Sequence, residues 1–244
     1  MVKPLKAKRI SKAFDSEQVL DDLSLELHEH ESLSILGRSG CGKTTLLKIL
    51  AGLESSDQGT LWMGDKNVGS LSSNQRDIVY LYQEALLFPH LNVFENIAFG
   101  LRLRRLDEDA VTFRTNKMIN QLELNGMQNK MPHQLSGGQQ QRVSFGRALI
   151  TNPKVILLDE PFGSLDADTR SAMQKLFKRV ADEINITAIF VTHNVKEAIL
   201  MGDRIAKLDN GKLTIFDSIE ALVKSGESSI HEEINFWRTI SDKH

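Results

Sequence analysis

Eight consecutive residues, Gly37-Arg38-Ser39-Gly40-Cys41-Gly42-Lys43-Thr44, constrain what this chain can fold into more than any other stretch. They match G-x-x-x-x-G-K-[ST], the P-loop pattern. The context fits: Leu33–Leu36 reads as a strand, and Thr45–Ala51 reads as a helix closed by Gly52. Glycines at these places let successive backbone N–H groups converge on phosphate oxygens that Cβ atoms would otherwise block. The helix N-terminus adds the positive end of its dipole. Lys43 supplies a point charge for β/γ-phosphates, and the Thr44 hydroxyl is a ligand for Mg²⁺. Gly37, Arg38, Ser39, Gly40, Cys41, Gly42, Lys43, Thr44 and Thr45 are therefore the candidate phosphate-binding residues. Cys41 is not needed by this chemistry and reads as a small filler rather than a redox switch.

A strand–loop–helix unit of this kind calls for an α/β core, and the remaining patterning agrees. Leu23-Ser24-Leu25-Glu26-Leu27 alternates as a half-buried strand does, and Thr60–Met63 and Ile78–Tyr82 also read as strands. From about Phe94 to Leu124 the apolar period shifts towards helix. After Asn152-Pro153 the chain returns to short apolar runs, Val155–Leu158 and Thr187–Val191, the pattern of parallel strands covered on both faces. Asp168–Glu183 between them is amphipathic and reads as a crossover helix. Asp209-Asn210-Gly211 marks a hairpin. The expected fold is α/β: a P-loop NTPase core with an N-terminal antiparallel β region and an inserted helical subdomain. The expected division is a domain over 1–224, with its core at about 1–83 and 151–224 and the helical insert at about 84–150, then a C-terminal tail over 225–244.

A second phosphate-site signal follows the run Val155–Leu158. Asp159 and Glu160 sit at the strand end where open α/β sheets bind ligands. Asp159 is placed to hold Mg²⁺, commonly through water, and Glu160 to orient or polarise an attacking water. Acidic residues after a strand are common, so the pair gains meaning only beside the P-loop.

Composition bounds the rest. Hydrophobic residues make up 41% and charged residues 25%, ordinary for a globular chain with a sizeable core. Thirty basic against 32 acidic residues leave a formal charge of −2, which provides no global field for a nucleic acid. No run reaches the roughly 18–20 apolar residues of a bilayer-spanning helix, and the basic N-terminus lacks the apolar core of a secretory signal. One cysteine excludes an internal disulfide and fits a reducing compartment.

Leu135-Ser136-Gly137-Gly138-Gln139, followed by Gln140-Gln141-Arg142, is a second glycine-rich helix start with a serine cap. Alone it would be an ordinary helix start. In order and spacing with the other motifs it resembles the signature of the ATP-binding-cassette (ABC) ATPases, and the resemblance covers roughly residues 5–220. It implies ATP and Mg²⁺ as cofactors and ATP hydrolysis as the activity. By the same resemblance, Phe14 is the aromatic residue that stacks on adenine, and Gln83 is the glutamine that senses Mg²⁺ and the water and joins the two lobes. Ser164-Leu165-Asp166 is the loop that crosses to a partner subunit, with Asp166 among the nucleotide-site residues. His193 is the switch histidine that contacts the γ-phosphate. Lys43, Gln83, Glu160 and His193 would then be catalytic, Thr44, Gln83 and Asp159 metal-binding, and Ser136, Gly137, Gly138 and Gln139 cofactor-binding. His28, His30, His90, His133, His231 and His244 lack metal-ligand spacing and read as solvent or structural groups.

In this family one P-loop does not reach its own signature helix. The resemblance therefore implies a head-to-tail dimer with ATP between one copy's P-loop and the other's Ser136–Gly138. The stretch Leu86–Leu101 resembles the segment of bacterial importer ATPases that receives a coupling helix, which implies transmembrane permease subunits docking near residues 84–101 and a solute-binding protein acting through them. It implies a peripheral place on the cytoplasmic face of the inner membrane. An exporter or lipoprotein-release ATPase is the nearer alternative; a soluble ABC ATPase acting on nucleic acid or ribosomes is disfavoured by the near-neutral charge. The basic run Arg102-Leu103-Arg104-Arg105 does not discriminate between them. The β-rich regulatory domain carried by many importer ATPases is not expected after Phe216. Ile230, Ile234, Trp237 and Ile240 recur at helical spacing, and packing back on the cassette is the expected role. Deleting residues 227–244 should lower the unfolding temperature while leaving partner binding, read by co-purification, unchanged.

Overall fold

The computed structural model describes residues 5–216 and 221–222. The C-terminal tail, with the four apolar positions expected at helical spacing, lies outside them, as do His231 and His244. From the N-terminus the chain forms β1 (Leu5–Phe14), β2 (Glu17–Leu27), β3 (Ser32–Leu36), α1 (Lys43–Ala51), β4 (Gln58–Met63) and the short β5 (Lys66–Asn67). Then follow β6 (Ile78–Leu81), α2 (Val93–Leu103), α3 (Glu108–Gln121), α4 (Gly137–Leu149), β7 (Val155–Asp159) and α5 (Ala167–Glu183). The series closes with β8 (Ala188–Thr192), α6 (Val195–Met201), β9 (Arg204–Asp209) and β10 (Lys212–Phe216). The architecture is the mixed α/β, P-loop NTPase type expected from the sequence. Contacts divide the described residues into two compact units, one built from residues up to Arg76 and from Thr187 onward, the other from Asp77–Ile186.

In the first unit, alternation builds an antiparallel sheet in the order β2-β1-β4-β5. Leu23, Leu25 and Leu27 are buried while Ser24 is exposed, the period-two pattern of a half-covered strand. β1 obeys the same rule with a slip. Leu5 and Ala7 are buried, then Ile10 and Lys12, because Arg9 adopts a positive φ of 54° and the register to β2 shifts there. Such a bulge moves the apolar set by one residue, so no unbroken alternation marks this strand in the sequence.

The other strands of this unit run β10-β9-β3-β8. β3 pairs in parallel with both β8 and β9, and β10 returns antiparallel to β9. The hairpin turn has Asn210 at φ 47° and Gly211 at φ 75°, the paired positive angles that a tight two-residue hairpin needs. Leu33, Ile35, Ile189 and Val191 have no exposed surface; β8 is buried along its whole length, which explains why it reads as a continuous apolar run, whereas Ser34 interrupts the run in β3. α1 buries Leu46, Leu47, Ile49 and Leu50. Each such side chain is worth roughly 1.5–3 kcal/mol.

The C-terminus of α1 is closed by a buried cation. Arg76 donates to the carbonyls of Ile49 (2.7 Å), Leu50 (3.1 Å), Gly69 (2.8 Å) and Leu71 (2.8 Å). The positive group meets the negative end of the helix dipole while each of its three nitrogens donates to a carbonyl. Burial holds its pKa below the usual guanidinium value.

In the second unit β6 and β7 pair in parallel, with Tyr80 opposite Leu157 and Leu81 opposite Leu158. The helical stretch expected from Phe94 to Leu124 is two helices. Arg105 at φ 57° ends the first, and Asp107 caps the second by accepting from Asp109 and Ala110 N–H groups. Phe145 on α4, Phe162 after β7 and Phe177 on α5 form a buried triangle with ring centroids 4.9, 6.0 and 6.4 Å apart. This triangle fixes α4 and α5 around the chain that leaves β7.

Replacing Arg76 by Met should remove the carbonyl partners without changing the volume greatly. We expect about 2–4 kcal/mol of destabilisation, read from the urea midpoint.

Candidate functional site

The phosphate loop leaves the C-terminal end of β3. Gly37 donates its N–H to the Thr192 carbonyl (3.2 Å), so the loop starts on the neighbouring parallel strand β8. A Cβ on Gly37 would lie 2.6 Å from Cys41 Sγ and 2.7 Å from the Leu208 carbonyl, so no side chain fits. Gly42, the N-cap of α1, takes φ 104°, and no side chain caps that helix start. The result is a helix N-terminus reached through a loop of exposed Arg38, Ser39 and Gly40, an arrangement suited to an anion. Lys43 is buried, 5% exposed, and its ammonium donates to the carbonyls of Gly37 (2.8 Å) and Arg38 (3.0 Å). Thr44 is exposed and Thr45 half-buried in the first turn of α1. Burial pushes the half-buried Cys41 thiol up despite nearby Lys43, so the neutral thiol prevails at neutral pH.

His193 follows β8 directly and is exposed. The turn that carries it is knitted on both sides. Thr192 Oγ1 donates to buried Glu197 (2.7 Å) and accepts from Asn194 N–H (3.0 Å), and the Asn194 side chain accepts from Glu197 N–H (3.1 Å). Because Leu36 and Thr192 are register partners, the P-loop and the His193 turn leave one sheet edge side by side. Phe14 ends β1 with 44% of its surface exposed.

In the second unit Asp159 ends β7, half-buried, and Tyr80 of β6 donates its phenol to Asp159 Oδ2 (2.6 Å). Burial, then the carboxylate partner, push the Tyr80 pKa far up, so the phenol remains a donor across the working pH range. Glu160 takes φ 44°, an uncommon left-handed conformation for a non-glycine residue, and its carbonyl accepts from Gly163 N–H (3.0 Å). Gln83, exposed beyond β6, lies against this turn: a Cβ on Gly163 would sit 2.9 Å from its Nε2. Gln83, Asp159 and Glu160 thus share one edge of the β6–β7 pair.

Ser136 caps α4 in a reciprocal box. Its Oγ accepts from Gln139 N–H (3.3 Å), and its N–H donates to Gln139 Oε1 (3.0 Å). Gly137 is exposed, whereas Gly138 is buried against Thr169 of α5. Asp166 caps α5 by accepting from Thr169 N–H (3.0 Å), and that bond holds its carboxyl below the usual range.

The stretch after Gln83 is also built rather than loose. Buried Asn96 accepts from Phe88 N–H (2.9 Å) and donates to the carbonyls of Phe88, Leu91 and Asn92 (3.1, 2.7 and 3.0 Å). Phe88 packs on Phe99 (centroids 4.6 Å apart), and Arg147 of α4 lies over Phe88 (4.9 Å) and donates to the Ala85 and Leu86 carbonyls. Leu86 and Phe99 remain 53% and 41% exposed.

Tyr80, Asn96, Arg147 and Glu197 escape sequence reasoning, since their value depends on partners that pairing brings near. Among the described residues no cluster of three or more His, Cys, Asp or Glu side chains could cage a metal. A Mg²⁺ ion held largely by phosphates needs no such cluster; in the first unit Thr44 offers a hydroxyl donor of that kind, and in the second Asp159 offers a carboxylate. Among the described residues no helix is long and apolar enough to cross a membrane.

Replacing Tyr80 by Phe keeps the ring and removes the donor to Asp159. The expected cost is about 1–1.5 kcal/mol in unfolding free energy by urea titration.

A sequence model of the family described as ABC transporter matches residues 20–163. The chain is 46% identical over 204 residues to the spermidine/putrescine import ATP-binding protein PotA of Fusobacterium nucleatum, covering 84% of this chain and 54% of that protein. The PotA protein of Thermotoga maritima is 44% identical over 206 residues, covering 84% and 56%. The sulfate/thiosulfate import ATP-binding protein CysA of Pseudomonas aeruginosa is 40% identical over 211 residues, covering 85% and 64%. The chain thus spans about half the length of these polyamine-import relatives.

Proposed function

This chain belongs to the ABC transporter family, and we propose that it is an ATP-hydrolysing subunit powering import of a solute through separate transmembrane permease subunits. One observation carries the reading. The loop Gly37–Gly42 opens α1 without a side-chain cap, beside the turn that bears His193, and so offers a phosphate cradle next to a titratable side chain. The names of the relatives, all import ATP-binding proteins, favour import over export.

ATP supplies the phosphoanhydride bond, and Mg²⁺ neutralises charge on its phosphates. Backbone N–H groups of the loop beyond Gly37, whose own N–H is held by the Thr192 carbonyl, orient the phosphates, Lys43 balances their charge, and the Thr44 hydroxyl would hold Mg²⁺. Asp159, held by Tyr80, would hold Mg²⁺, and Gln83 would sense the metal and the water. Glu160 polarises the attacking water, and His193 contacts the γ-phosphate. Phe14 stacks on the base.

The working state is a head-to-tail dimer in which Ser136–Gly138 of one copy complete the other's site. The signature helix start, rigid through its Ser136–Gln139 box, supports this role because it is preorganised before any ligand arrives. The exposed Leu86 and Phe99, on a stretch braced by Asn96 and Arg147, support permease docking near residues 84–101. The subunit is then peripheral on the cytoplasmic face of the membrane. Cargo selectivity belongs to the permease and a solute-binding protein, which fits relatives named for cargoes as different as polyamines and sulfate.

Glu160→Gln should abolish phosphate release while light scattering shows an ATP-dependent dimer. A variant that turns ATP over normally, or a wild type that is active as an obligate monomer, would overturn this mechanism.

A further inference from the structure

Lys12 is 7% exposed on β1, two residues before the half-exposed Phe14. A buried ammonium requires compensation, and two carboxylates provide it: Glu54 at 2.9 Å and Asp57 at 3.4 Å. The cation lies 4.9 Å from the centroid of the Phe14 ring, within cation–π range. Asp57 does more than balance charge. Its N–H donates to the Ser11 carbonyl (2.8 Å), and its carboxylate accepts from Ala13 N–H (2.7 Å). It therefore grips β1 on both sides of Lys12, where the register to β2 shifts. Glu54 in turn donates its N–H to the Lys48 carbonyl (3.2 Å) near the end of α1. An unbroken line of contacts runs from the helix that begins at the phosphate loop, through Glu54 and Lys12, to the ring of Phe14.

We propose that Lys12, anchored by Glu54 and Asp57, is a positioning residue that fixes the Phe14 ring at a set distance from the P-loop as the platform for the nucleotide base. This inference rests on the reading of Phe14 as the base-stacking residue. Phe14 has few other constraints: it ends its strand and keeps 44% of its surface open. The cation beside the ring also polarises its π-cloud. The carboxylates raise the Lys12 pKa, Glu54 most strongly, so the positive charge persists across neutral pH.

Calorimetry with ADP and with inorganic pyrophosphate separates base binding from phosphate binding without turnover. Lys12→Met should weaken ADP about three- to tenfold and leave pyrophosphate unchanged. Phe14→Ala should do the same, and the double variant should lose nothing further. Glu54→Gln keeps Lys12 but slackens its anchor. It should give the same selective loss at smaller size, and it serves as the test if Lys12→Met does not fold. Equal weakening of both ligands by Lys12→Met, or no change beside a weakened Phe14→Ala, overturns the positioning role. If Phe14→Ala itself leaves ADP binding unchanged, the stacking reading fails and this inference falls with it.

Discussion

The first unit depends on one parallel pairing, β3 against β8. It places Leu36 opposite Thr192 and lets Gly37 begin its loop with a hydrogen bond to the Thr192 carbonyl. The placing of the P-loop and of His193 in that unit follows from this edge. Loops leaving adjacent parallel strands at the same end converge, so the P-loop and the His193 turn become neighbours without contacting each other in sequence. The close approach of the Leu208 carbonyl from β9 then forbids a side chain at position 37. Parallel pairing sets the positions, and glycine makes them sterically possible.

Precision in the second unit comes from caps and aromatic packing rather than from the strands alone. Ser136, Asp166, Asn92 and Asp107 each satisfy first-turn N–H groups of a helix. The triangle of Phe145, Phe162 and Phe177 holds α4, α5 and the chain after β7 as one packed group. Two residues assigned functional roles, Ser136 and Asp166, are therefore also structural caps. Their substitution effects combine both roles, and only measurements that separate binding from stability can apportion them.

Much of this was legible in the sequence, for physical reasons that differ by element. β7 and β8 are buried on both faces, so their apolar runs are unbroken and visible. α5 shows its amphipathic period, and Asn210-Gly211 announces its turn because few residues tolerate two positive φ angles in succession. β1 was not legible, because the bulge at Arg9 shifts its alternation and a charged residue, Lys12, occupies a buried position. The break between α2 and α3 was hidden by charged residues that suit a helix surface as well as a turn. Among the candidate functional residues, those carried by a motif were visible, whereas Tyr80, Asn96, Arg147 and Glu197 draw meaning from partners that only the fold supplies. The parallel register that sets Tyr80 near Asp159 has no local sequence sign.

The pairing of β3 with strands far along the chain has a consequence for biosynthesis. The P-loop sequence leaves the ribosome early, but the carbonyls of Thr192 and Leu208 that shape it are made much later. At about 5–20 residues per second the interval is on the order of ten seconds. Throughout it the nascent chain holds β3 without either of its parallel neighbours. A truncated product ending before Thr187 carries the complete P-loop motif on a strand that lacks both of them. The native geometry of this loop therefore requires the chain to have been made at least as far as Leu208, more than 160 residues beyond Thr44.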